Sequence, residues 1–287
     1  MKTNTHCIPC FLRQANETLD RLEIDESRKR RILEKVSHKI FEIPFEKSPP
    51  HVAREVYKLI AALTGIKDPY KNEKAHANKL VLKLYPELKK RVQQAKDPFF
   101  EAVRLAAIGN IIDLGAKSTF NLDEELRNDL NTEFTIFDFE LLRKKLETAK
   151  NILYIGDNTG EIVFDKILIE EIKKPVAFAV RGAPIINDAT LEDALACGLD
   201  EVAEVISSGS DGPAAILDSC SEEFLKLYHK ADLIISKGQG NFEELSEEDK
   251  PIFFIFKVKC QAVAKQLNCD VGDMMLSHKS HRKKSEA

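Results

Sequence analysis

A change of period near residue 150 constrains this chain more than any other feature. Beyond it, short apolar runs at 152–155, 176–180, 202–206, 233–235 and 252–256 alternate with helical stretches at 161–173, 188–197, 221–229 and 260–267. The runs are rich in Ile, Val and Phe and show little polar alternation, as strands buried on both faces do. Strand and helix in alternation, five times over, predict a parallel sheet with helices on its faces. The expected fold is α/β: a Rossmann-like, doubly wound, mostly parallel sheet with an all-helical N-terminal domain packed on it.

The first half has the other texture. Leu19, Leu22 and Ile24, then Ile32, Leu33, Val36 and Ile40, recur at near-helical spacing among charges. Val52, Val56, Leu59, Ile60 and Leu63 repeat the pattern, with Gly65 as a stop. The stretches 75–95 and 98–115 also read as helical, and no convincing strand is visible before 145. Prolines at 44, 49, 50, 69 and 98 mark boundaries, because the residue before proline is pushed out of the α region. The expected division is a helical domain over 1–147, an α/β metal- and phosphate-binding domain over 148–275, and a basic, frayed tail over 276–287.

Composition excludes several classes. Of 287 residues, 43% are hydrophobic, enough for a packed core, and glycine and proline number only 12 and 11. The net charge of -4 is not that of a nucleic-acid-binding protein. No apolar run is long enough to span a bilayer, and the first residues lack a signal core. The expectation is a cytoplasmic protein with neither nucleic-acid nor membrane partner. Six cysteines are too few for a disulfide scaffold.

In open α/β sheets, ligands bind outside the carboxyl ends of the strands. The five runs end in polar segments: Gly156-Asp157-Asn158-Thr159-Gly160-Glu161, then Arg181-Gly182, then 207–213 with Ser208, then Lys237-Gly238-Gln239-Gly240-Asn241, then Lys257-Val258-Lys259-Cys260. Asp157 and Asp188 could each simply cap the helix that follows. Together with Asn158, however, they supply hard oxygen donors from adjacent strand ends, suited to Mg²⁺ or Mn²⁺. No histidine is among them, which argues against catalytic zinc. Arg181, Lys237 and Lys259 could be solvated surface charges; beside such carboxylates they suggest an anion site. The 207–213 and 237–241 loops can offer N–H groups to phosphate. A P-loop and a G-x-G-x-x-G turn are both absent, which disfavours dinucleotides. Metal, phosphate cradle and lysines point to phosphoryl transfer. A carboxylate could instead attack phosphorus directly; Thr159 breaks a D-x-D nucleophile pattern, which favours attack by metal-bound water with Asp157 as a ligand.

Two further features stand beside that set. Asn110 and Asp113, at i and i+3, share one face of an apolar helix. They either cap or bond across a domain interface or line the cleft, with Asp113 near the metal, behind its ligands or as proton acceptor. Cys7 and Cys10 could hold zinc with remote partners among His6, Cys220, Cys260 and Cys269, form a redox pair, or pack.

In order along the chain, Cys7-Ile8-Pro9-Cys10, Gly109-Asn110-Ile111-Ile112-Asp113, the Gly156–Glu161 segment, Asn187-Asp188, Lys237-Gly238 and Lys259-Cys260 resemble the metal-dependent damage-control phosphatases, also described as domain-of-unknown-function family 89. The likeness is to the prokaryotic branch with a Cys-x-x-Cys start. It implies hydrolysis of small phosphorylated metabolites, such as sugar phosphates or damaged cofactor intermediates, with cobalt, nickel, manganese or magnesium. It further implies Asp157, Asn158 and Asp188 as metal ligands, and Glu161, the 237–241 loop and Lys259 on the substrate side. Some eukaryotic relatives carry a carboxyl methyltransferase label, but their Asp-Leu-Asn-Tyr-Arg stretch is replaced here by Gln239-Gly240-Asn241-Phe242-Glu243. A methyltransferase using S-adenosylmethionine and a non-enzymatic metal- or metabolite-binding protein stand as the alternatives, and homo-oligomerisation is left open.

Overall fold

The computed structural model describes residues 1–109 and 133–278. Asn110 and Asp113 lie outside the described residues, as do 279–287. Five helices come first: α1 (Cys7–Asp20), α2 (Glu26–Glu42), α3 (Pro49–Thr64), α4 (Lys71–Gln94) and α5 (Pro98–Gly109). Their boundaries follow local chemistry. The Asp25 side chain caps α2, accepting the Arg28 N–H, and Ser48 caps α3, accepting from His51. Gly65 ends α3 in the left-handed conformation at φ 80°.

The remaining elements are β1 (Phe134–Phe137), α6 (Phe139–Thr148), β2 (Ile152–Ile155), α7 (Glu161–Ile172), β3 (Val176–Val180), α8 (Leu191–Ala196), β4 (Glu204–Ser207), α9 (Glu222–Lys230), β5 (Leu233–Lys237), α10 (Gln239–Leu245), β6 (Ile252–Lys257), α11 (Gln261–Leu267) and β7 (Met274–His278). The strands form one sheet in the order β1-β7-β6-β5-β2-β3-β4. All five expected runs are in it and pair in parallel with one another. The third strand starts two residues late, after a 3₁₀ turn at Leu199–Glu201.

Two strands are additions. β7 runs antiparallel to β6, and β1 joins it in parallel at the edge. The first half therefore does contain a strand, and residues 276–278, expected in a frayed tail, are paired.

Strand alternation divides the core. Ile152, Tyr154, Phe178, Leu233, Ile235, Phe253 and Ile255 pack with α4, α5, α6 and α7 on one face. Leu153, Ile155, Ala179, Ile234 and Phe254 pack with α9, α10 and α11 on the other. Helices α4 and α5 thus belong to the sheet's own layers. Helices α1 to α3 form a separate cluster around Phe11, Leu19, Val36, Val56 and Ile60, joined by Ile185 from the loop after β3. Among the described residues, no helix is long and apolar enough to cross a membrane.

Candidate active site

From β2 the chain steps outward to β3 and β4, then returns to β5 on β2's other side. The carboxyl ends of β2 and β5 therefore flank a topological switch point, where open α/β sheets form crevices. Ile155 pairs with Ser236, so the segments leaving the two strands emerge side by side. A cavity of about 310 Å³ opens there. Asp157, Asn158, Asp188 and Lys259 line it from the sheet, and Cys7, Cys10, Phe11, Arg13, Pro49 and Ala53 from the helical cluster.

The capping alternative for the two aspartates does not hold. The residue before α7 is Gly160, and α8 is capped by Thr190 in a capping box with Asp193. Asp157 and Asp188 instead face each other through Arg181. Its Nε donates to Asp188 Oδ2 at 2.6 Å and its Nη2 to Asp157 Oδ1 at 3.1 Å. Asn158 and Asp188 are bridged through their backbones. The Asn158 amide donates to Asp157 Oδ2 at 2.8 Å and to Glu161 Oε2 at 3.0 Å. Burial, with Asp188 and Glu161 nearby, pushes the Asp157 carboxyl up to about 8 against the pull of Arg181 and Lys259. Burial raises Asp188 too, opposed first by Arg181.

The donor set fits a hard divalent cation. Asp157, Asn158 and Asp188 line the cavity together, which brings two carboxyl groups and a side-chain amide to it. Among the described residues, no three His, Cys, Asp or Glu side chains are grouped to hold an ion. A cation bound here would keep several waters, as Mg²⁺ and Mn²⁺ do.

Other expected residues take different roles. Arg181 is 1% exposed, bridges the two aspartates through Nε and Nη2, and is not among the residues that line the cavity. Lys237 is completely buried: its Nζ lies 2.7 Å from Glu161 Oε1, from Asp165 Oδ1 and from the Ala106 carbonyl. It is not among the residues that line the cavity. Glu161, 1% exposed, sits behind Asn158, accepting from its side chain and backbone, and orients it. Asn241 is buried and ties loops together, accepting from Ala215 N and donating to Lys237 O. The buried Ser208 hydroxyl has no partner among the described residues and lies off the cavity. Gly238 contributes by having no side chain: a Cβ there would overlap the Asp157 carboxylate. Of the three expected cations, Lys259 is the one that lines the cavity.

A family model for the damage-control phosphatase ARMT1-like domain matches residues 3–275. The chain belongs to the damage-control phosphatase family. It is 36% identical to a damage-control phosphatase of Pyrococcus horikoshii, over 96% of this chain and 97% of that one. It is 37% identical to a damage-control phosphatase of Archaeoglobus fulgidus, over 78% and 81%. An uncharacterized protein of Methanocaldococcus jannaschii is 41% identical over 96% and 95%. The crystal structure of a domain-of-unknown-function family 89 protein from P. horikoshii superposes with a TM-score of 0.91 at 34% identity, covering 97% of this chain and 99% of that one.

Within this damage-control phosphatase fold, sequence reasoning missed several groups. Asn78 of α4 accepts the Gly160 N–H at 2.7 Å and donates to Asp193 at 3.1 Å, fixing the turn that carries Asn158. Asp165 completes the Lys237 site; its position four residues after Glu161, on the same helix face, was the available signal. Gln239 and Glu243 line the cavity, and the Gln239 amide reaches Glu243 Oε1 at 2.7 Å and Cys260 Sγ at 3.4 Å. Cys7, Cys10 and Cys260, which the sequence did single out, are free thiols on the same cavity. Burial raises the first two, which disfavours their thiolates.

Proposed function

We propose that the protein is a divalent-metal-dependent phosphatase of small phosphorylated metabolites. The observation that carries this reading is the meeting of Asp157, Asn158, Asp188 and Lys259 on one cavity at the switch point of a damage-control phosphatase fold. Asp157, Asn158 and Asp188 would hold the cation. Bound there, it would polarise the phosphoryl group and acidify an attacking water.

The chain's own groups supply the rest. Lys259 draws the phosphate to the carboxyl edge of the sheet and offsets charge that develops in transfer. Arg181 keeps both aspartates oriented while neutralising part of their repulsion. Glu161, held by Lys237, keeps the Asn158 side chain in place. The cavity's size suits a small phosphomonoester such as a sugar phosphate.

The test is phosphate release from p-nitrophenyl phosphate and a panel of sugar phosphates, with and without Mg²⁺, Mn²⁺, Co²⁺ or Ni²⁺. Asp157→Ala and Asp188→Ala should each lower turnover by about 10²-fold or more. Lys259→Ala should raise KM by about tenfold, the loss of one charge-assisted contact. Absence of release with every metal, or aspartate variants that match wild type, would overturn the reading.

A further inference from the structure

The loop after β3 holds a backbone conformation that its residue type resists. Ile186 has φ 43°, in the left-handed region, beside the cavity. For a β-branched side chain that is a steric outlier. The Asp188 N–H donates to the Ile185 carbonyl at 3.0 Å, so Ile186 and Asn187 are the central residues of a tight turn. The first central position of a turn with positive φ is where glycine, asparagine and aspartate are favoured.

The turn is fixed from every side. Thr159 donates twice to the Asn187 carbonyl, from its N–H at 2.9 Å and its hydroxyl at 3.1 Å. Arg181 grips Asp188, and the Ala189 N–H donates to the Asp157 carbonyl at 2.8 Å. Ile185 is buried in the core of the helical cluster. Strain of this kind persists only where the surroundings over-determine it, and such positions gather at ligand sites. What the strained position adds is a branched apolar side chain two residues from Asp188. With Phe11, Pro49, Pro50 and Ala53 it makes an apolar wall of the cavity that holds Asp157 and Lys259.

We propose that Ile186 is a specificity-determining residue that packs against the leaving group of the substrate, and that the wall selects phosphomonoesters whose alcohol presents an apolar or aromatic face. This rests on the reading that phosphate binds at Asp157, Asn158, Asp188 and Lys259.

The experiment is equilibrium binding of phenylphosphonate and methylphosphonate to the Mn²⁺-supplemented protein, wild type and Ile186→Gly, with thermal midpoints recorded for both. Wild type should bind phenylphosphonate about tenfold more tightly than methylphosphonate, the value of roughly 50 Å² of apolar burial. Ile186→Gly should erase that preference, leave methylphosphonate affinity unchanged and keep a midpoint no lower than wild type. Ile186→Val, which keeps the branch, should retain most of the preference. Equal affinities in wild type, a preference that survives Ile186→Gly, or a loss of methylphosphonate binding with it would overturn the proposal. Binding of both phosphonates with the expected preference but no phosphate release from any ester would overturn hydrolysis and leave Ile186 as the residue that selects the organic group of a bound phosphate ligand; failure of both to bind would overturn both.

Discussion

At the scale of single residues, the site depends on how closely neighbouring backbones approach one carboxylate. Asp157 is held by Arg181 on one oxygen and by Asn158 on the other. The third constraint is Gly238, which leaves β5 at φ 82° with its Cα against that carboxylate. A methyl group there meets both a left-handed backbone and an occupied position. Gly238→Ala should cost about 1–3 kcal/mol of stability, read by urea denaturation. It should also lower metal-dependent phosphate release at temperatures where the variant is fully folded, because Asp157 must move to make room. A variant with wild-type turnover would show that the carboxylate's position is not critical. The same residue shows where reading from sequence stops. Gly238 was expected to offer its N–H to phosphate, but that N–H donates to the Ile255 carbonyl. Which group an N–H meets depends on the strand beside it, and local sequence does not specify that strand.

At the scale of elements, β5, α5 and α7 are joined by one buried ionic centre. Leu233 and Ile235 face the α5–α7 layer, and Lys237, two residues on, faces the same way. Its ammonium meets Glu161, Asp165 and the Ala106 carbonyl, and Tyr154 donates to Asp165 at 2.7 Å. Lys237→Met should therefore destabilise the protein by about 3–5 kcal/mol, since it strands buried carboxylates without their cation. Adding Asp165→Asn should recover a substantial part of that loss. Chemical denaturation of the single and double variants checks both; a double variant no better than Lys237→Met would refute the pairing. Strand alternation made the direction of Lys237 legible in principle, because Leu233 and Ile235 share its face. Its end as a strand-terminal lysine read as exposure instead. The five parallel strands were legible because burial on both faces leaves continuous apolar runs. β1 and β7 were not. β1 is an edge strand with only partial burial, and Thr135 interrupts its four residues. β7 ends in Ser277 and His278 where the sequence turns basic. The metal-type oxygens and Lys259 were legible because they sit on the strand-end segments themselves. Phe11 and Pro49 were not, because helices remote in sequence bring them to the cavity.

At the scale of the molecule, the cavity exists only because the α1–α3 cluster docks on the sheet's carboxyl edge. Helix α3 packs against α10, Ser48 hydrogen-bonds Glu244, and Arg54 and Lys58 both pair with Asp211 from the loop after β4. Glu243 lies at this junction, and burial pushes its carboxyl up to about 7, opposed by the Gln239 amide, the amino terminus and Lys259. Across the junction stand Cys7 and Cys10, whose thiols feel its charge. A carboxyl with a folded-state pKa above its unfolded value near 4.5 binds more proton in the folded protein. Its stabilising contribution is fully present below about pH 4.5 and is lost as pH rises through 7. The shift corresponds to at most about 3 kcal/mol. Glu243→Gln keeps the side chain's size and removes that titration. Wild type should therefore lose stability relative to the variant between pH 5 and pH 8, and the variant should be the more stable of the two above pH 7. Urea denaturation of both proteins across that range measures the difference. Parallel pH profiles would mean that Glu243 is ionised in the folded protein throughout, and that the junction between cluster and sheet holds its charge without cost.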